Sequence, residues 1–89
     1  MPAISMFYGI IVYMYFVDYR RHHLPHIHAR YQNEEAVVSI PEGALLEGSL
    51  PRAKLKLLNA WVELHREELE ANWTLAVSAL PLFKIEPLR

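Results

Sequence analysis

Cysteine is absent from the chain, which excludes a disulfide framework and any thiolate zinc site. The same absence accords with a reducing cytoplasm, the location expected. An excess of charge is also lacking: nine Lys and Arg against ten Asp and Glu leave a formal net charge of −1. No overall charge therefore draws the protein to nucleic acid or to a membrane surface. Glycine occurs only three times, and neither internal repeats nor low-complexity tracts interrupt the chain. The longest apolar stretch, Met6 to Val17, falls short of the ~20 residues that a transmembrane helix needs. Residues 1–17 carry no charge, so they lack the basic segment of an export signal. Neither a membrane span nor a targeting segment is expected.

What the chain does contain is apolar material. Of its 89 residues 53% are hydrophobic and 11% aromatic, enough for a compact core and too much for a disordered segment. A domain of this size has a small core, which must be efficient or shared with a partner. One domain is expected over residues 1–89, with a sheet in 4–48, helices in 50–79 and an extended tail in 80–89.

The periodicity changes near Pro51. Before it, β-branched and aromatic residues predict strands. A long first strand is read over Tyr8–Val17, apolar on both faces, and a polar connection follows through Asp18–Pro25. The stretch His26–Gln32 then alternates: Ile27, Ala29 and Tyr31 point one way, His26, His28, Arg30 and Gln32 the other. A tight turn at Asn33-Glu34 leads into a third strand, Glu35–Ile40, and Ala44–Glu47 is a candidate for a short edge strand.

Beyond Ser49, a helix cap by composition, Pro51 suits a first turn and Leu57, Leu58, Trp61 and Leu64 recur at helical spacing. Leu69, Trp73 and Ala76 repeat that spacing out of phase, with Glu68 where the first series requires an apolar residue. The slip predicts two helices meeting near His65–Glu67, one bent helix being the alternative. The tail, PLFKIEPLR, is expected to pack in extended form across the core. The fold class is therefore α+β: a small antiparallel sheet of three or four strands, covered on one face by two C-terminal helices. Two helices cover only one side of a sheet. The other side, carrying apolar residues of the first strand, is expected to meet a small protein partner or a second copy.

The densest chemistry lies in RRHHLPHIHARY, residues 20–31, which holds four of the five histidines and three arginines. On a strand, His26 and His28 project from one face, close enough to share a divalent metal such as zinc. His22 is the favoured third ligand, with His23, His65 and Asp18 as alternatives. Histidine also suits acid–base work near neutral pH. A phosphate or nucleic-acid reading uses Arg20, Arg21 and Arg30 with Tyr19 and Tyr31 beside them. A plain polar strand face is the remaining reading. Acidification separates the ligand readings by sign: metal needs neutral imidazole, whereas phosphate is held better by its cation. The candidate functional cluster is His22, His26, His28, Arg30 and His65. Trp61 and Trp73 are read as core, and Glu63, Glu67, Glu68 and Glu70 as a solvated helix face.

Taken in order, ISMFYGIIVYMYF, HHLPHIHARY, LEGSLP, LLNAWVELHREELEANW and PLFKIEPL resemble the small bacterial family called domain of unknown function 4160. Its most recognisable element is an aspartate-histidine pair followed by Pro-Pro-His-aromatic-His-Ala. His22, Pro25, His26, His28 and Ala29 fit that element. Arg21 stands where the family has aspartate, Leu24 replaces the first proline and Ile27 the aromatic. Arg21 weakens a metal site, because it repels a cation that an aspartate would help to hold. The resemblance implies no activity. It implies a gene neighbour, in an arrangement like a toxin–antitoxin pair, hence a small protein partner and an RNA target. An interaction module is the leading expectation, and a histidine-dependent enzyme or metal-binding protein acting on a phosphate-containing or nucleic-acid substrate is the rival.

Overall fold

The computed structural model describes residues 3–15, 24–40 and 42–89. Among these described residues five strands come first: β1 (Ala3–Phe7), β2 (Ile10–Tyr13), β3 (His26–Tyr31), β4 (Glu34–Ser39) and β5 (Leu45–Gly48). Two helices follow, α1 (Arg52–Leu64) and α2 (Arg66–Val77). All five strands join one antiparallel sheet in the order β1-β2-β3-β4-β5, so β3 lies in the middle.

The α+β class holds, but the sheet has five strands where three or four are expected. The difference lies in the N-terminal apolar run. A single strand over Tyr8–Val17 is replaced by a hairpin, with Phe7 paired to Ile10 and Met6 to Ile11. Tyr8 (φ 50°) and Gly9 (φ 82°) form its two-residue turn. Positive φ at both positions matches the right-handed twist of the flanking strands. Gly9 adopts it freely, while Tyr8 does so at a cost of roughly 1–2 kcal/mol. The second hairpin turns at Gln32-Asn33, one residue earlier than expected, with Tyr31 opposite Glu34 and Arg30 opposite Glu35. At the far edge Gly48 (φ 71°) runs so close to β4 that a Cβ there would collide with the Glu35 carbonyl oxygen.

One face of the sheet carries Ile10, Val12, Ile27, Ala29, Ala36 and Val38, all fully buried. They pack against Leu58, Trp61 and Val62 of α1 and Leu69 of α2. The Phe7 and Trp61 rings lie 5.2 Å apart at their centroids. Full burial of each larger aliphatic side chain stabilises the fold by about 1.5–3 kcal/mol.

The helix register departs from the sequence reading in two places. Leu64 is 68% exposed, because the buried stripe runs through Leu58, Trp61 and Val62 and leaves residue 64 on its flank. Ser49 does not cap α1: the cap position is Pro51, and the Ser49 N–H is instead given to the Glu35 carbonyl. The predicted slip is real. α1 and α2 are separate helices joined at His65, whose backbone (φ −115°, ψ 26°) leaves the helical region. No glycine or proline breaks the chain there. Each helix turns its own apolar stripe to the sheet, and one bent residue brings the two stripes into phase.

The tail is extended and tied to three elements. The Ile85 N–H donates to the Ile4 carbonyl of β1 (2.8 Å), and Ile85 is buried. Trp61 Nε1–H donates to the Glu86 carbonyl (2.8 Å). Asn72, fully buried on α2, donates to the Phe83 carbonyl (2.8 Å) and accepts from the Phe83 N–H (3.1 Å). No helix among the described residues is long and apolar enough to cross a membrane. Asn72→Ala removes both bonds to Phe83, an expected loss of about 2 kcal/mol. Urea unfolding should show that loss, and amide exchange at Phe83 and Ile85 should accelerate. Unchanged exchange at both amides would contradict the role given to Asn72.

Candidate functional site

Strand alternation builds the site. With Ile27, Ala29 and Tyr31 turned to the helices, His26, His28 and Arg30 share the opposite face of β3. The antiparallel register sets Tyr13 beside His28 from β2 and Val37 beside it from β4. It also sets Glu35 beside Arg30. Tyr13, Tyr15, Arg30 and Glu35 line a cleft of about 350 Å³ on this side of the sheet.

This is not a solvated polar strand face. His28 is only 6% exposed and His26 is fully buried. The His28 ring stacks on Tyr15, with centroids 4.2 Å apart and planes 15° from parallel. Its Nδ1 stands 3.1 Å from the Tyr15 hydroxyl and 3.4 Å from Glu35 Oε2. An ionised carboxylate only accepts, so this neighbour favours a proton on Nδ1.

The same logic is firmer at His26. Its Nδ1 lies 2.7 Å from the Leu24 carbonyl oxygen, which has no proton to give, so Nδ1–H is the donor. The His26 ring fits between His28 (5.4 Å between centroids) and Trp73 of α2 (5.0 Å). Trp73, read from the sequence as core, is thus also the wall behind the histidines. A backbone carbonyl or carboxylate on Nδ1 is what orients an imidazole for work at Nε2, whether as base or as ligand.

The five expected site residues do not stay together as one group. His26, His28 and Arg30 share the face of β3. His65 lies at the junction of α1 and α2, its ring 5.6 Å from Trp61 and its Nδ1 2.6 Å from Glu68 Oε1. His22, with Asp18, Tyr19, Arg20, Arg21 and His23, lies outside the described residues. Of the proposed metal ligands, His26 and His28 are the two that share a strand face. Among the described residues no three His, Asp or Glu stand close enough to hold one.

Three members escape the sequence reading: Tyr13, Tyr15 and Glu35. The tyrosines sit within an apolar run, and their pairing with β3 depends on a connection without a legible turn. Glu35 is recoverable in principle. A turn at Gln32-Asn33 puts it opposite Arg30, whereas a turn at Asn33-Glu34 puts it opposite Gln32.

The arrangement defines a class: a small α+β domain in which two helices pack on an antiparallel sheet whose central strand carries buried, oriented histidines. Residues 9–74 match the family described as Domain of unknown function (DUF4160), and the chain belongs to that family. No curated protein and no solved structure matches it. Proton–nitrogen correlation spectra of the imidazoles under mildly alkaline conditions should show His26 with its proton on Nδ1. A proton on Nε2 would remove the Leu24 hydrogen bond and the orientation argued from it.

Proposed function

We propose that this face is a histidine-centred acid–base site acting on a phosphate-containing substrate. The carrying observation is Nδ1 of His28, set between the Tyr15 hydroxyl and the Glu35 carboxylate at 3.1 and 3.4 Å. Glu35 and the Tyr15 hydroxyl hold the ring at Nδ1, and stacking on Tyr15 restricts its rotation. Arg30, beside Glu35 at the rim, supplies a fixed cation for an anionic oxygen. Glu35 by itself would repel a phosphate, and Arg30 offsets it. His26 acts as a positioning residue, since its burial between His28 and Trp73 keeps it from direct contact with a substrate.

General acid–base groups contribute about 10²–10⁴-fold to rate. Hydrolysis of an activated diester such as bis(4-nitrophenyl) phosphate should therefore fall by about that factor in His28→Ala. Arg30→Ala should raise KM more than it lowers kcat. Turnover that survives His28→Ala unchanged would sink the proposal, as would a wild-type protein with no turnover on any phosphate ester.

A second reading has its own support. Met6 is 61% exposed and pairs with half-buried Ile11 on the same side of the sheet, an apolar margin beside the cleft. That margin suits a protein surface: a second copy, or the small partner of a toxin–antitoxin-like pair. Sedimentation should then show self-association, or a complex with the product of the neighbouring gene, that Met6→Glu weakens. A monomer that ignores that product would end this reading without touching the first.

A further inference from the structure

We infer that the cleft lined by Tyr13, Arg30 and Glu35 binds a guanine nucleotide, with Glu35 reading the base and Arg30 holding the phosphate. This ligand class rests on the reading above in one respect, that the substrate carries phosphate. No contact to His26 or His28 is required for it.

A charge pair that does not close is the first observation. Arg30 and Glu35 are direct register partners on β3 and β4, where opposite charges ordinarily meet. Among the described residues no ion pair joins them: Glu35 Oε2 stands instead 3.4 Å from His28 Nδ1. Both side chains are exposed, and both line the cleft of about 350 Å³. A guanidinium with five N–H donors therefore stands open beside a carboxylate with roughly four lone-pair sites, of which His28 takes at most one.

Such a pair selects its ligand. A bare phosphate ester is drawn by Arg30 and repelled by Glu35. A ligand held by both presents an anion to one and N–H donors to the other, as a nucleotide does. Guanine sets two donors, N1–H and the N2 amino group, side by side on its Watson–Crick edge, matching the two oxygens of one carboxylate. Adenine and cytosine place an acceptor ring nitrogen next to their amino group, and uracil flanks its one N–H with carbonyl oxygens. A carboxylate repels those acceptors, so Glu35 favours guanine over the other three.

The place of Tyr13 is the second observation. It is half-buried and lines the cleft from β2, the neighbour of β3 on the side away from β4. Adjacent strands lie about 4.8 Å apart, so Tyr13 and Glu35 flank Arg30 across roughly 10 Å of sheet. A purine stacked on the Tyr13 ring spans that gap together with the glutamate side chain, and leaves its phosphate to Arg30. Stacking supplies affinity with little regard to sequence, and the carboxylate supplies the choice of base. The volume agrees: small-ligand sites begin at roughly 300 Å³, room for one nucleotide, free or as a single unit of an unpaired strand.

The test is calorimetric titration of the full chain with the 5′-monophosphates of guanosine, inosine and adenosine, and with guanosine itself. The guanine nucleotide should bind at least about tenfold more tightly than the adenine one, the least that a bidentate base contact commonly discriminates. The inosine nucleotide keeps N1–H, lacks the amino group and should fall between them. Wild type should bind guanosine roughly tenfold more weakly than its monophosphate, a difference that Arg30→Ala cancels. Glu35→Gln should abolish the preference for guanine. Tyr13→Ala should weaken all three nucleotides by roughly tenfold, and Tyr13→Phe should retain them, because the ring makes the stack. A short single strand with one central guanine, set against its adenine counterpart, separates the sources. Preference confined to the strand assigns the cleft to single-stranded nucleic acid, preference for the free nucleotide assigns it to a mononucleotide, and either sustains guanine. Equal affinity of wild type for the guanine and adenine forms overturns the inference, and so does binding of neither. The ligand series needs no variant, so a misfolded mutant cannot decide the result. If His28-dependent hydrolysis of bis(4-nitrophenyl) phosphate is found without a preference for guanine, guanine is overturned and the acid–base site stands. Guanine-selective binding without turnover of any phosphate ester sustains the nucleotide and removes the acid–base site.

Discussion

The alternation of β3 is the constraint on which the rest depends. As the middle strand of five it is paired on both sides, and its two faces do opposite things. Ile27 and Ala29 are fully buried under the helices. His26 and His28, one step out of phase, are buried on the other side with oxygen atoms on their Nδ1 atoms. A slip of one residue would turn His28 and Arg30 into the apolar core and expose Ile27. The hydrophobic requirement of the core therefore sets the aim of the histidines.

The helix layer contributes to that aim from a distance. Trp73 of α2 packs against His26, and His26 packs against His28. α2 is in turn held by Asn72 to the tail, which also ties Trp61 of α1 and Ile4 of β1. A small domain has few contacts to spare, and here a short extended segment joins both helices to the sheet edge. A site seated on a strand between two paired neighbours, with a tryptophan behind it, is held more rigidly than one carried by loops.

Near His28 the described residues include one charge of each sign. Arg30 and Glu35 face each other across β3 and β4, in line with a chain whose total is nearly neutral. The net charge of −1 excludes affinity from global electrostatics, yet it says nothing against one cation at the rim of a buried imidazole. Attraction at such a site acts at contact distance, where an arginine has several donors to offer.

The sequence by itself determined the class of fold and the identity of the central strand. Period-two alternation over 26–32, the shift to helical spacing after Pro51 and the phase slip at Glu68 are local patterns, each legible without knowing any partner. So was the membership of His26, His28 and Arg30 in one face. Tertiary structure alone decided the rest. The N-terminal run is apolar on both sides, so its residues cannot announce whether they form one strand or two, and Tyr8-Gly9 turns the chain only because a hairpin there finds a neighbour in β3. Tyr13, Tyr15 and Glu35 come to His28 from other strands, through registers set by turn geometry and core packing together. Burial was hidden for the same reason. A histidine on a strand looks polar in sequence, and among the described residues the rings of Tyr15 beside His28 and Trp73 beside His26, distant in the chain, help to bury it.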